Sequence, residues 1–491
     1  MKRGRSFLVG ATIAAMILSA CVASGTGDEA AALEAATEQT APAADYVGTL
    51  RLDPRTGPAG TVVNVVGEGF PSSTTFDLTW GSAVGSWLIQ GEAGEEYHGR
   101  KYTPITESLA EVTSSPDGVV NATFEVPSGW GFGHDVALID EAGVIRNQAL
   151  FNVEMAVSIS PTEGPVGTPI TITVEGMGWQ TLENNRTVIY DNRYTGWISA
   201  VTTGGNSAGV IPATGEPGIH RIQVARGAYT FPYLNPQQSP RPDIPVFEFT
   251  FTVTDEDPIL PAPIADQAPA AVLGEPGGDD TWIATDYVQG PVGTPLTLVG
   301  EGFNPGTEVE FIWYKIVGNR VSGSGWDEAG MAFGTATADS EGAVSLATEV
   351  PGDVGGTHRI EATVKGVLEA TTSFQVTPEA MPLASQTVKA GDDIVIDLEG
   401  VGWTETANIY ALVYDNAYLG YACGFNSQGY VNVTLKATGG PGWHFVDLYP
   451  AIYRGKEAEG QQTFRIPQLN YFEDHPGEDL PAFHYAFYVE G

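Results

Sequence analysis

One short phrase recurs along the chain and limits what it can fold into. Gly57-Pro-Ala-Gly-Thr61 returns as Gly164-Pro-Val-Gly-Thr168 and as Gly290-Pro-Val-Gly-Thr294, with a weaker copy at Lys389-Ala-Gly-Asp-Asp393. An alternating stretch follows each copy and ends in a glycine pair ahead of an aromatic ring: "VVGEGF", "TVEGMGW", "LVGEGF" and "DLEGVGW". Further on come a turn and a valine strand, "SPDGVV", "NSAGV", "DSEGAV" and "NSQGYV", then a histidine step that reads Phe132-Gly133-His134 in the first unit and Gly-x-His at His220, His358 and His444 in the others. A regular internal period marks repeated folding units, here of about 100 residues each.

Within a unit, apolar residues alternate over short runs bounded by Gly, Pro, Asp and Asn, the pattern of strands joined by tight turns. The chain contains 61 Gly and 33 Pro, which supply those turns, and helical periodicity is confined to the N-terminal leader. The expected fold is all-β, four tandem antiparallel β-sandwiches. The units also pair. One and three share "GEGF" and a strand ending at Trp80 or Trp313; two and four share a "YDN" segment and a Pro-rich ending, with Pro240 and Pro245 matching Pro476 and Pro481. A two-domain block has been duplicated. The units are expected at 46–154, 155–255, 282–377 and 378–491, with the Pro/Ala-rich run 256–281 as a semi-rigid, extended spacer between the halves.

The "GPxGT…GxGF/W" signature resembles the tandem immunoglobulin-like domains of bacterial surface proteins, particularly the IPT/TIG-like group. The resemblance covers nearly all of residues 46–491. It implies immunoglobulin-like sandwiches and a surface location, and leaves the function open, because such modules serve as spacers, adhesins and enzyme appendages alike.

The N-terminus gives an address. A basic "MKRGR" precedes the apolar run "SFLVGATIAAMILSA", too short to span a membrane comfortably, and the run ends in Leu18-Ser19-Ala20-Cys21. Those four residues resemble the lipobox of bacterial lipoproteins. The resemblance implies a signal peptide at 1–20, lipid on Cys21, and a flexible acidic tether over 21–45. The protein is then expected to be exported and held on a bacterial membrane by lipid, facing the exterior or the periplasm. With 22 Lys+Arg against 60 Asp+Glu the formal charge is −38, a surface that repels nucleic acid and anionic headgroups. Cys423, the other cysteine, sits in "YLGYACGFN"; it reads as a small buried side chain on a strand, with no disulfide partner once Cys21 is acylated.

Chemistry is sparse. "YDNRYTG" at 190–196 and "YDNAYLG" at 414–420 set Asp and Asn between tyrosines, which makes Tyr190, Asp191, Asn192, Tyr194, Tyr414, Asp415, Asn416 and Tyr418 the candidate ligand-binding residues. They could offer oxygens to calcium or to sugar hydroxyls beside an aromatic platform. One Asp-Asn pair supplies too few ligands for calcium, so a metal is not favoured and no cofactor is expected. The structural alternative is a hairpin turn, which Asp and Asn suit through positive φ. On that reading exchanging Asp191 or Asp415 for Asn costs little.

"GNSAG" at 205–209 matches G-x-S-x-G, yet the corresponding segments of the other units are strand-to-strand turns, so Ser207 reads as a turn residue. The four repeated histidines read as one structural position per domain, bonding nearby backbone. No nucleotide-binding loop or zinc motif occurs. Unit four is rich in rings (Tyr410, Tyr421, Tyr430, Trp443, Tyr449, Tyr453, Tyr471 and Tyr485 besides those named), fitting either a core or a recognition face. The expected function is a non-catalytic cell-surface lipoprotein that presents its domains for binding or scaffolding, partnered by the membrane through its lipid and by envelope polysaccharide or a surface protein. A carbohydrate-binding accessory, a cryptic hydrolase and a pure spacer are the alternatives.

Overall fold

A computed structural model describes residues 46–491 apart from 92–95, 181, 229–230, 240, 279, 320–324, 454–464 and 478. Cys21 and the leader lie outside the described residues. The chain forms four tandem immunoglobulin-like β-sandwiches, each a three-stranded sheet facing a five- or six-stranded one. Among the described residues the only helical pieces are three short 3₁₀ turns.

The repeated phrase accounts for the common topology. In domain 1 the first strand Thr49–Asp53 pairs antiparallel in the small sheet, then the chain crosses over so that Thr56–Gly57 runs parallel to Ile145–Val153 in the large sheet. The same crossover brings Glu163–Pro165, Tyr287–Gly290 and Thr387–Lys389 parallel to the closing strands of domains 2, 3 and 4. A tight turn follows each time. The Thr61 N–H donates to the Pro58 carbonyl at 3.2 Å, and Gly60 takes a φ of 81° that a side chain would resist. Gly167, Gly293 and Gly391 repeat that geometry. In the weak fourth copy, Asp392 takes the threonine's place and accepts from the Lys389 N–H at 2.8 Å.

The next strand is the clearest product of binary patterning. Val62–Glu68, Pro169–Glu175, Pro295–Glu301 and Asp393–Glu399 each alternate between buried and more exposed positions, placing Val63, Ile170, Leu296 and Ile394 in their respective cores. Burying such an aliphatic side chain contributes about 1.5–3 kcal/mol. The four sandwiches have four separate cores, with one extension noted below.

The duplication also shows in how neighbours join. The Gly131 N–H donates to the Met177 carbonyl at 3.0 Å between domains 1 and 2, and the Gly355 N–H donates to Val401 at 3.1 Å between domains 3 and 4. A Cβ on Gly131 or Gly355 would lie about 2 Å from the Gly176 or Gly400 carbonyl oxygen, so both junctions need glycine. Long hairpins of the odd domains reach further. Thr75–Gln90 and Glu96–Thr113 carry Trp87, Ile89 and Tyr97 beyond their sandwich to pack with Trp197 of domain 2 and Ile452 and Ile466 of domain 4.

Two sequence expectations need correction. Cys423 does end a strand, Ala417–Cys423, but it is exposed, because it lies on the outward face of an edge strand. The run 256–281 has little secondary structure, yet it is docked rather than a free spacer. Its Ile259 N–H donates to Val166 of domain 2, Ile264 joins the core of domain 4, and Val272–Leu273 pairs with domain 3. Proline keeps this run extended, but its aliphatic residues still gain by leaving water.

Candidate functional site

The two heptapeptides are hairpin turns. Arg186–Tyr190 runs into Arg193–Ile198, and Ile409–Tyr414 into Ala417–Cys423. Asp191 and Asn192 have φ of 47° and 63°, and Asp415 and Asn416 have 45° and 60°, the paired left-handed values of a two-residue hairpin loop. The tyrosines divide by position. Tyr190 and Tyr414 are core residues whose hydroxyls donate to the Thr214 and Thr438 carbonyls at 2.9 and 2.6 Å.

The aspartates have a task the sequence did not reveal. Asp415 receives His444 Nδ1 at 2.6 Å on one oxygen and the Phe445 N–H at 3.0 Å on the other. Asp191 receives His220 Nδ1 at 2.5 Å and the Arg221 N–H at 2.9 Å. The "YDN" and Gly-x-His phrases of even domains are therefore halves of one unit. In odd domains a tryptophan stacks on the histidine instead, Trp80 on His134 and Trp313 on His358, and Nδ1 faces the Gly81 or Tyr314 carbonyl. In all four domains Nε2 faces the carbonyl four residues earlier, at 2.8 to 2.9 Å.

The contact leaves room for the small expected cost of Asp→Asn when the ring is neutral. Nε2, facing a carbonyl, holds the proton, so Nδ1 can accept from an asparagine amide while Oδ1 accepts from the backbone N–H. What the exchange removes is the charge pairing with the protonated ring. The pH response follows from the same contact. The Asp415 carboxylate holds His444 above its ordinary value of 6.5, against the opposing effect of burial. A raised histidine adds stability that is complete below 6.5 and fades as pH climbs through the raised value. We expect the stability of domain 4 to urea to fall as pH rises above 6.5, and Asp415→Asn to flatten that slope. An equal slope in the variant would assign the pH dependence elsewhere. His134, enclosed by carbonyls without a carboxylate, is instead lowered by burial.

The two copies also touch. The Tyr194 and Tyr418 rings meet edge-on at 6.3 Å, and Thr195 Oγ1 donates to the Asn416 carbonyl at 2.8 Å. Asn192 is exposed, whereas Asn416 is buried, its Nδ2 donating to Pro212 O at 2.8 Å and Thr214 Oγ1 at 3.1 Å. Tyr194, Tyr418, Asp415 and Asn416 thus lie on a seam between domains 2 and 4, where the domain 2 core takes in Val413, Tyr449 and Leu469.

The centre of that seam is a stretch that sequence reading passed over. Around Gln468 the chain lies along the edge of Arg193–Ile198: the Trp197 N–H donates to Pro467 O, and the Leu469 N–H donates to Trp197 O, both at 2.9 Å. Asn470 Nδ2 donates to Ser199 O and to Ser207 Oγ at 2.7 Å. Asp474, fully buried, accepts from Ser199 Oγ, the Val201 and Thr202 N–H groups, Thr202 Oγ1 and Trp87 Nε1 at 2.5 to 3.1 Å. One carboxylate thereby joins domains 1, 2 and 4. Ser207 begins a strand and bonds Glu473 at 3.0 Å, with no helix to form a nucleophile elbow.

Beside the seam lies a cavity of about 330 Å³. Domain 2 contributes Val210, Ile211 and Pro212, the docked linker Ile259, Leu260 and Pro261, and domain 4 Phe445, Tyr449 and Leu480. Its polar lining comprises Asp447, Gln468, Gln267 and His484. His484 Nδ1 meets Asp447 Oδ1 at 2.7 Å. Burial, with the Asp447 charge adding to it, pushes the Tyr449 phenol well above its ordinary value, so it stays protonated. Among the described residues no group of three or more His, Cys, Asp or Glu side chains is placed to hold a metal ion.

Most tyrosines of domain 4 are buried, Tyr410, Tyr414 and Tyr485 in its own core, Tyr449 in the domain 2 core and Tyr471 beside Ala407 and Leu480, while Tyr421 and Tyr430 are exposed.

No family model matches the sequence, and no curated protein matches it. Among solved structures, the chain is similar to the D1–D4 ectodomain fragment of ICAM-5 at 10% identity and a TM-score of 0.18, covering 86% of this chain and 99% of that one. It is similar to a Corynebacterium diphtheriae protein described as membrane anchored at 11% identity and 0.17, over 67% and 91% of the two chains. Latent PorU from Porphyromonas gingivalis follows at 11% and 0.16, over 67% of this chain and 34% of that one. Among the described residues no helix is long and apolar enough to cross a membrane.

Proposed function

We propose that this chain is an exported, lipid-anchored, non-catalytic protein that holds four immunoglobulin-like domains as one block at the bacterial cell envelope. The observation that carries the scaffold reading is the Asp474 hub, whose donors come from domains 1 and 2 while it belongs to domain 4. A pure spacer needs only end-to-end junctions. A buried carboxylate with every donor in place instead fixes domains side by side, as a presented surface requires.

The anchor rests on the lipobox-like Leu18-Ser19-Ala20-Cys21 and the acidic stretch after it. Cys21→Ser is expected to abolish lipid labelling and to move the protein from the membrane to the soluble fraction. Unchanged fractionation overturns the reading. One chain alone supplies too little membrane affinity for permanent attachment if it carries a single acyl group, so more than one is expected on Cys21.

The partner class favoured is envelope polysaccharide, with a surface protein second. Trp403, Trp326, Phe425, Tyr453 and Tyr421 form a chain of ring contacts with centroids 5.6 to 6.4 Å apart, ending at exposed Tyr421. The rings are tilted against one another and the Arg465 guanidinium lies over Tyr421 and Tyr453 at 5.0 and 4.1 Å, so a sugar would meet the uncovered part of exposed Tyr421.

A further inference from the structure

Among the polar side chains that line the cavity between domains 2 and 4, His484 alone has an atom within a visitor's reach and uncommitted. Asp447 Oδ2 and Gln468 Oε1 are buried away from solvent. The Tyr449 hydroxyl points to Val210 O and the Tyr471 hydroxyl to Thr406 O. Gln267 is used at both ends: its amide N–H₂ donates to Ala262 O and His484 O, and its Oε1 accepts the His484 backbone N–H. The His484 side chain, by contrast, is 39% exposed, and its Nε2 is accessible and has no hydrogen-bond partner among the described residues.

Strand pairing aims that ring. Phe483 and Tyr485 enter the core of domain 4, so His484 stands on the opposite face of the sheet, directly across from Asp447 on the neighbouring strand. The cavity lies over that face. His484 Nδ1 is held 2.7 Å from Asp447 Oδ1, and the Tyr449 ring meets the imidazole edge-on at 5.8 Å. A carboxylate only accepts, so Nδ1 carries the proton and Nε2 of the neutral ring presents a lone pair. The two nitrogens of an imidazole point away from each other, so pairing Nδ1 with Asp447 leaves Nε2 to the open space. The other walls are largely apolar, and Ile259, Leu260 and Phe472 are exposed where the space opens to solvent. About 330 Å³ falls in the range of small-molecule sites.

We propose that this cavity binds a small neutral molecule with an apolar body and a single hydroxyl, a phenol above all, whose O–H donates to His484 Nε2. Counting donors decides the class. The lining offers one reachable side-chain acceptor, and a hydroxyl brings one donor. An ammonium group brings three, and two of them would be stranded with its charge against hydrocarbon. A carboxylate would lie one imidazole away from the buried Asp447 carboxylate, in a chain of net charge −38. Phenols lead over alkyl alcohols because their more acidic O–H is the stronger donor. Asp447 is a positioning residue that fixes the tautomer. This goes beyond the anchored-scaffold reading, whose test is membrane fractionation and does not involve the cavity.

The test is calorimetric titration of the full-length chain with 4-ethylphenol, with 4-ethylanisole, which has the same body and no donor, and with phenethylamine and 3-phenylpropionate. The phenol is expected to bind saturably at one site, and the other three about tenfold or more weaker. His484→Phe keeps a ring of similar size without the acceptor. It should weaken the phenol about tenfold and bring phenol and anisole within about twofold of each other. Ala482→Phe, which fills the cavity and keeps the imidazole, should abolish phenol binding. Absence of saturable phenol binding, an anisole within about twofold of the phenol on the parent, an amine or acid that binds more tightly than the phenol, or parent affinity in His484→Phe overturns the proposal. If His484→Phe does not fold, the contrast among the four probes on the parent and the Ala482→Phe titration decide it.

Discussion

Replacing Asp474 by alanine is expected to cost about 5 kcal/mol and to release domain 4 from domains 1 and 2 before any sandwich unfolds. The carboxylate answers five donors, four of them on Ser199, Val201 and Thr202 (both its N–H and Oγ1) of domain 2 and the fifth on Trp87 of domain 1. Removing it leaves those groups buried without an acceptor, at about 1–3 kcal/mol for each that water cannot reach. Urea unfolding followed by tryptophan fluorescence reads the seam directly, because Trp87 and Trp197 both lie at it. The variant should show an early transition absent from the parent. A single transition displaced by under about 1 kcal/mol would mean that apolar contact alone holds the domains together.

The second large effect is expected in domain 3. Trp313 is fully buried, stacked on His358 at 4.9 Å and in contact with Phe333 and Phe374, and its Nε1 donates to Asp353 at 3.0 Å. Trp313→Ala should cost about 3–5 kcal/mol through the cavity alone. It also deprives Asp353 of a donor, and that carboxyl is already pushed up by burial. Trp313→Phe separates the two contributions, since it retains most of the ring volume and loses only the N–H. Stability measured at about pH 5 and pH 8 should show the phenylalanine variant losing more at the higher pH, where Asp353 must stay charged with one donor fewer. An equal loss at both would place the whole effect in packing.

Most of the architecture is readable in the chain because it is local. A strand such as Asp393–Glu399 states its buried face by alternation, and the turn at Gly60 states itself by the residue a positive φ demands. The repeated histidines could be assigned a backbone-bonding role from position alone, and Nε2 does face a carbonyl in each domain. What could not be read is non-local. Asp415 and His444 stand 29 residues apart, and nothing in either phrase names the other. Asp474 is one acidic residue among 60 Asp and Glu, distinguished only by donors that come from other domains. The linker misled because composition reports the prolines that keep a chain extended, while docking depends on a few aliphatic residues such as Ile264. The cavity was invisible for a related reason, since its walls come from three segments that meet only in the folded block.

The seam also imposes an order of events on synthesis. Domain 2 can complete its two sheets once Phe247–Thr254 has emerged, because that strand closes its sandwich. Its outer face, with Ser199 and the Trp197 edge, then waits for Asp474, which follows Ser199 by 275 residues. Domain 4 in turn cannot close until Phe483–Glu490 slots between Gly442–Pro450 and Thr387–Lys389. Throughout that interval an open strand edge and a bare apolar face are presented to whatever is nearby. A nascent chain of this design is therefore most vulnerable to mispairing with its siblings when it is almost finished, and loss of even its closing strand would leave the earlier domains folded but uncovered.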